Sequence, residues 1–332
     1  MKRAISYLLM LLIVLGLLVT LSITTYLSTP PDSLEIPKII TVYPGMSFAE
    51  VASILEKEGI IRGVRRFSLL VRYYQVTKKI KAGEYRLNTS MLPLDVMNTL
   101  VRGDVIEHPI TIPEGYNIYQ IADLFDSSNL AGKEAFLKKS MDPAFVSSLG
   151  IEGESVEGYL FPDTYKIPLY MKTEEIIKVM VLRFKDIYSR NYAERAKELG
   201  LTMKEVVILA SIIEKETGTH SERPLISAVF QNRLKKKIRL QSDPTAVYGI
   251  VDFRGKVTSK HLKINSPYNT YLYSGLPPGP IANPGEASLR AVFYPADVDY
   301  LYFVSKNDGT HHFSSSLREH NAAVWKYQRR KR

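Results

Sequence analysis

Hydrophobic positions are laid along this chain in three ways, and each predicts a different kind of element. From Ala4 to Leu27 they run almost without interruption and without a charge, behind Lys2 and Arg3. Such a stretch is long enough to cross a bilayer as one helix. Cations ahead of it favour a cytoplasmic N-terminus with the rest of the chain outside. A cleaved signal peptide is the rival reading, but the run is long for one and no A-x-A-like site follows. An uncleaved anchor over 1–27 is expected, then a polar linker over 28–36 stiffened by Pro30 and Pro31.

The second pattern is a short apolar strand followed by an amphipathic helix, and it occurs twice. Ile40–Leu55 and Ile110–Phe125 align without a gap at an offset of seventy residues. Ile40/Ile110, Thr41/Thr111, Gly45/Gly115 and Ala52/Ala122 coincide, and Ser47 and Asn117 match as N-caps. Each copy predicts a strand, a Gly turn and a capped helix. This unit resembles the LysM-type βαα module, a likeness that implies binding of N-acetyl sugars; a common strand–turn–helix unit used twice is the plainer reading. Helical periodicity over Val64–Gln75, a strand over Ala82–Leu87 and a helix over Met91–Arg102 stopped by Gly103 complete a small module over 37–105. Its basic cluster, Lys78, Lys79 and Lys81, suits a solvated face or contact with anionic headgroups.

The third pattern is a helix apolar all round. In Leu201–Gly218 every position from Val206 to Ile213 is apolar except Ser211. Thr202 and Glu205 fit a capping box and Gly218 a left-handed stop, so the segment reads as a buried helix although its β-branched content also suits a strand. Around it, 132–199 is mainly helical, broken at Glu157–Tyr165. Ser221 is expected to cap a further helix to about Lys236. Next come the motif Leu240–Gly249, the Pro/Gly/Asn/Tyr-rich run Asn269–Gly285, strands at Tyr300–Ser305 and Gly309–Phe313, and a closing helix over Ser316–Trp325. The fold class is therefore α+β, with a transmembrane helix, LysM-like units and a mixed α+β catalytic domain over 106–332 that begins with the second repeat.

Charge changes the picture in one respect. The 332 residues carry a net +10 at neutral pH, which suits a polyanionic neighbour. A translocated domain rarely meets nucleic acid, and neither zinc-finger spacing nor an RNA-binding signature is present. Anionic lipid or cell-wall polymer fits better. With no cysteine, disulfides and thiolate metal sites are excluded. His311, His312 and His320 have no carboxylate partner at metal-ligand spacing, so no metal and no cofactor are expected.

The candidate chemistry sits where the buried helix ends, at Glu214 and Glu216. Two positions apart, they point to opposite sides of the helix and cannot work as a pair. One turn before Glu214 lie the small Ala210 and Ser211; before Glu216 lie the bulky Ile212 and Ile213. Glu214 therefore has more room for a ligand. A helix C-terminus and partial burial both disfavour a carboxylate charge, which is what a general acid needs. A solvated helix end with Lys215 pairing its neighbours is the bland alternative. Glu157–Tyr165, rich in aromatics and carboxylates, reads either as a packed turn or as a sugar-binding wall.

Taken together, ASIIEKET, EGYLFPDTY, LQSDPT, NTY with GLPPGPIANPG, and the closing YLYFVS, HHFS and EH resemble the endolytic murein transglycosylases, the YceG-like proteins, over nearly all of the chain after the linker. The resemblance implies single-span inner-membrane proteins facing the cell wall. They cleave the N-acetylmuramic acid–N-acetylglucosamine bond within nascent peptidoglycan strands and leave 1,6-anhydro-muramic ends, a lyase reaction. It implies Glu214 as the catalytic residue, acid and then base, with glycan strands as substrate and contact with peptidoglycan synthases. Glu157, Gln241, Asp243, Asn269 and Tyr271 are the residues expected to position substrate. A non-catalytic glycan-binding scaffold and a muramidase-type hydrolase are the alternatives; a second carboxylate facing Glu214, such as Glu157 or Asp243, would favour hydrolysis.

Overall fold

The computed structural model describes residues 2–250, 253 and 255–329. Met1 and 330–332, the outermost ends of the expected anchor and catalytic segments, lie outside the described residues. The chain divides into two compact units, Met1–His108 with Lys166–Tyr170, and Pro109–Tyr165 with Met171–Arg332.

The first unit opens with α1 (Lys2–Ser28). Its stretch Ile5–Ser28 has a mean hydropathy of 2.6 and is long and apolar enough to cross a membrane. The hydroxyls of Thr20, Thr24, Thr25 and Ser28 each donate to the carbonyl four residues back, at 2.7–3.0 Å, so they are satisfied within the helix. After it, β1 (Pro37–Val42), α2 (Phe48–Lys57), α3 (Val64–Tyr73), β2 (Gly83–Asn88) and α4 (Pro93–Arg102) form one small α+β module. β1 and β2 pair antiparallel from Pro37↔Asn88 to Val42↔Gly83. Ile40, Leu55, Phe67, Tyr85 and Leu100 fill the core between this ribbon and the helices. Ser47 caps α2 as expected and forms a capping box with Glu50, and Gly103 ends α4 in the left-handed conformation.

The chain then repeats this design, with most of the second copy in the second unit. β3 (Glu107–Thr111) leads to α5 (Ile118–Ser127), whose capping box is Asn117 with Gln120, and to α6 (Lys133–Ser140). Ile60 and Ile61 both donate to Leu55 O, and seventy residues on Leu130 and Ala131 both donate to Phe125 O. After α7 (Pro143–Ser148) comes β4 (Thr164–Pro168), and the likeness resumes eighty residues on from the first copy. The Tyr85 hydroxyl donates to Lys81 O at 2.7 Å, and that of Tyr165 to Phe161 O at 2.5 Å. The repeat therefore extends well beyond its readable first half. An insertion carrying α7 and Glu157 hides the rest.

The remaining elements are α8 (Thr173–Asn191), α9 (Ala193–Leu199), α10 (Met203–Glu216), α11 (Arg223–Lys235), α12 (Asp243–Val247), α13 (Glu286–Phe293), the antiparallel hairpin β5 (Tyr302–Ser305) and β6 (His311–Ser314), and α14 (Leu317–Val324). α10 is the buried helix expected, with every residue from Val206 to Ile213 buried and the Thr202–Glu205 capping box formed. Two expected signals act differently. α10 ends because Thr217 turns extended (φ −144°, ψ 137°), not through a left-handed Gly218. Ser221 lies inside a 3-10 turn, His220–Glu222, and α11 starts after it with Pro224 in its first turn, so the proline and not a serine cap sets that helix start.

Candidate active site

α10 delivers its two terminal glutamates into unlike surroundings, both within the second unit. Glu214 is almost closed off, with 5% of its side chain exposed. Its Oε1 accepts from Arg223 Nη2 at 2.9 Å and its Oε2 from the Gly285 N–H at 3.0 Å. Arg223, itself 4% exposed, also donates through Nε to Ser288 Oγ at 2.9 Å and lies 3.6 Å from Glu114. Both oxygens of Glu214 are thus engaged by the protein's own donors, one at the start of α11 and one at the end of the Pro/Gly-rich run. The room that the small Ala210 and Ser211 leave is filled from within: Ser211 Oγ accepts from the Ile281 N–H at 3.1 Å, seating the Pro/Gly-rich run on the helix.

Glu216 borders an open cavity of about 360 Å³, whose wall includes Arg233, Gln241, Asp243, Tyr271 and His320. The Ser242 hydroxyl donates to Glu216 Oε1. Burial pushes the Glu216 carboxyl up to about 7; the nearby Asp243 charge adds to this, while the Ser242 bond and the Arg233 cation oppose it. Its room does not come from its own helix. The bulky Ile212 and Ile213 are buried, and the space is made by the segments carrying Gln241–Asp243 and Tyr271.

Those two segments are fastened to each other. Gln241 N donates to Thr270 O at 3.2 Å, Ser242 N to Thr270 Oγ1 at 3.0 Å, and the Thr245 and Thr270 hydroxyls lie 2.8 Å apart. Gln241 is held at φ 51°, a left-handed conformation that non-glycine residues keep only where surroundings enforce it. The Tyr271 hydroxyl donates to Asp243 Oδ1 at 2.6 Å, and burial raises its own pKa. Arg233 is pinned by its Nε to Leu301 O at 2.6 Å and its Nη1 to Leu240 O at 2.8 Å, with its guanidinium 5.1 Å from the Tyr302 ring. His320 stacks on Tyr302 at 5.2 Å, and burial lowers its pKa, so the ring is neutral near pH 7.

Of the six residues expected from the sequence, Gln241, Asp243 and Tyr271 come together, and they do so around Glu216 and not around Glu214. Asn269 is buried beneath them. Its amide donates to Leu262 O (3.1 Å) and Ile264 O (2.9 Å), while its Oδ1 accepts from Tyr271 N (3.0 Å). It shapes the loop that presents Tyr271. Glu157 is 1% exposed and accepts from Ile118 N at 3.0 Å, the Tyr248 hydroxyl at 3.0 Å and Asn283 Nδ2 at 2.8 Å. Burial lifts it to about 7. It ties the start of α5 to the Asn283 loop. Arg233, Ser242 and His320 were not among the expected site residues. Ser242 lies inside LQSDPT, and Arg233 is an arginine that is itself buried on the inner face of α11.

A helix long and apolar enough to cross a membrane thus precedes an α+β body in which one carboxyl borders a polar cleft. The YceG-like family model matches residues 40–326, and the chain belongs to that family. It is 35% identical over 304 residues to the endolytic murein transglycosylase of Bacillus subtilis, covering 87% of this chain and 84% of that protein. It is 31% identical to the endolytic murein transglycosylase of Streptococcus pneumoniae, covering 84% of this chain and 56% of that longer protein. A crystal structure of a yceG-like protein from Listeria monocytogenes aligns with a TM-score of 0.61 at 34% identity, over 87% of this chain and all of that one.

Proposed function

We propose that this protein is an endolytic peptidoglycan lytic transglycosylase and that Glu216, not Glu214, is its proton donor. The names of the bacterial relatives support the reaction class. The observation that carries the residue assignment is geometric: Glu216 borders an open cavity, while both oxygens of Glu214 are taken by Arg223 and Gly285. Burial, which pushes the Glu216 carboxyl up, points the same way. A general acid needs a proton near neutral pH and a free approach to the leaving oxygen.

Glu216 would protonate the oxygen bridging N-acetylmuramic acid and N-acetylglucosamine. The muramic C6 hydroxyl would attack C1, and the ionised Glu216 would accept that hydroxyl's proton. The nucleophile is part of the substrate, so the reaction gains the advantage of an intramolecular partner and needs no second carboxylate. Ser242 and Arg233 stabilise the carboxylate formed midway, and Asp243 favours its return to the protonated form. Gln241 and Tyr271 shape the wall on which the sugar rings rest. The apolar helix is proposed to anchor the chain once in the inner membrane with its N-terminus inside, placing the cavity outside, close to nascent strands and to the synthases that make them. Glycan binding by the LysM-like first module rests on its strand–turn–helix likeness alone.

Asp243 keeps the hydrolase reading in play, because it lines the same cavity. Mass spectrometry of products from a defined glycan separates the two. The transglycosylase yields anhydro ends, lighter by one water than the reducing ends of hydrolysis; reducing ends as the main product would overturn the proposal.

A further inference from the structure

The duplicated module answers a question about itself, because one copy shows what its turn can hold. In the second repeat the turn after β3 is filled by Asn283. Gly115 N–H donates to Asn283 O, Asn283 N–H donates to Tyr116 O, and Asn283 Nδ2 donates to Tyr116 O as well, each at 2.9 Å. One residue of an irregular segment thus pairs reciprocally with the turn through its main chain, as an added strand does at a sheet edge.

In the first repeat the same turn is built and left open. Gly45 (φ 85°) stands where Gly115 (φ 74°) stands, and Met46 where Tyr116 does. Among the described residues, Gly45 N–H and Met46 C=O make no hydrogen bond. They border a cleft of about 310 Å³ walled mainly by Val42, Tyr43, Phe48, Val51, Thr77 and Ile80, with one cation, Lys78. No carboxylate or carboxamide side chain lines it, and the Ser47 hydroxyl is spent on capping α2. Carboxylates and carboxamides are ready partners for sugar hydroxyls, and the cleft offers neither. A donor and an acceptor of the main chain beside apolar walls suit a peptide instead.

We propose that the first repeat is a docking site for a segment of a partner protein. One residue of that segment pairs through its N–H and C=O with Met46 O and Gly45 N. Its polar side chain, amide or carboxylate, turns toward Lys78, and a neighbouring aliphatic side chain enters the cleft. The module then recruits another protein beside the enzyme, a role independent of the cleavage chemistry.

The probe is a capped peptide copying residues 279–286 of this chain, carrying a photo-crosslinker and added to the full-length protein in detergent. Labelling is expected at 42–48 and 77–82. Methylating the backbone nitrogen of the probe's Asn, which removes the donor to Met46 O, should weaken labelling at least about tenfold, the scale of one lost main-chain hydrogen bond. Ala82→Trp, which fills the cleft, should abolish it. The proposal is overturned if labelling falls only on the second unit, if the methylated probe labels equally well, or if chito-oligosaccharide enters the cleft and displaces the peptide. Because the methylated probe acts on wild-type protein, the outcome does not depend on how well the Trp variant folds.

Discussion

Replacing Glu214 by Gln should cost stability before it costs chemistry. The two charges of the Glu214–Arg223 pair lie 2.9 Å apart with 5% and 4% of their side chains exposed, so solvent screens them little. Removing one partner of a buried pair typically costs about 3–5 kcal/mol, because the other charge is left behind. Here the loss belongs at the low end. Arg223 keeps Ser288 Oγ and has Glu114 at 3.6 Å, and a Gln oxygen can still accept from Gly285. About 3 kcal/mol translates to a melting-temperature drop of roughly 6–12 °C for a domain of this size. Circular dichroism of the detergent-solubilised protein reads it. A second variant, Glu214→Leu with Arg223→Met, removes both charges and should recover part of the loss, since an apolar pair leaves nothing uncompensated. If Glu214→Gln melts with the wild type, or if the double variant is as damaged as the sum of its parts, Glu214 is not the structural anchor described above.

Other outcomes follow from the same geometry. With Glu216 raised to about 7, kcat/KM should fall about tenfold per pH unit above that value as the acid loses its proton; a profile flat through the neutral range would contradict it. Glu157, raised from 4.5 to about 7, binds its proton more tightly folded than unfolded. Its contribution is therefore complete below about 4.5 and lost as pH rises through about 7, on the order of 3 kcal/mol. Denaturation at pH 5 and pH 8 should show the difference, and Glu157→Gln should shrink it. Tyr271→Phe removes the donor to Asp243 and should lower kcat roughly tenfold while leaving the melting temperature within a few degrees. Thr202→Ala deletes the α10 cap and should cost about 1 kcal/mol, read from the denaturation midpoint.

The sequence carried the elements further than it carried the site. N-caps at Ser47, Asn117 and Thr202 are local chemistry, and all three formed. The buried helix announced itself by composition. What lies beside Glu214 and beside Glu216 is set by chain far away in sequence. Ile281 covers the small residues next to Glu214, and the pinned loops of Gln241 and Tyr271 hollow out the space by Glu216. Small neighbours on a helix are as readily filled by a loop as by a ligand. The second half of the repeat was hidden for a simpler reason: an insertion moves its register from seventy to eighty residues.

Which glutamate donates the proton is decided by the products of two single variants on a defined glycan, each normalised to its folded fraction by circular dichroism. Glu216→Gln should fold as the wild type and release no anhydro-ended fragments, whereas Glu214→Gln should still release them from whatever fraction remains folded. Cleavage by Glu216→Gln at the wild-type rate, with none from folded Glu214→Gln, would return the proton to the other glutamate.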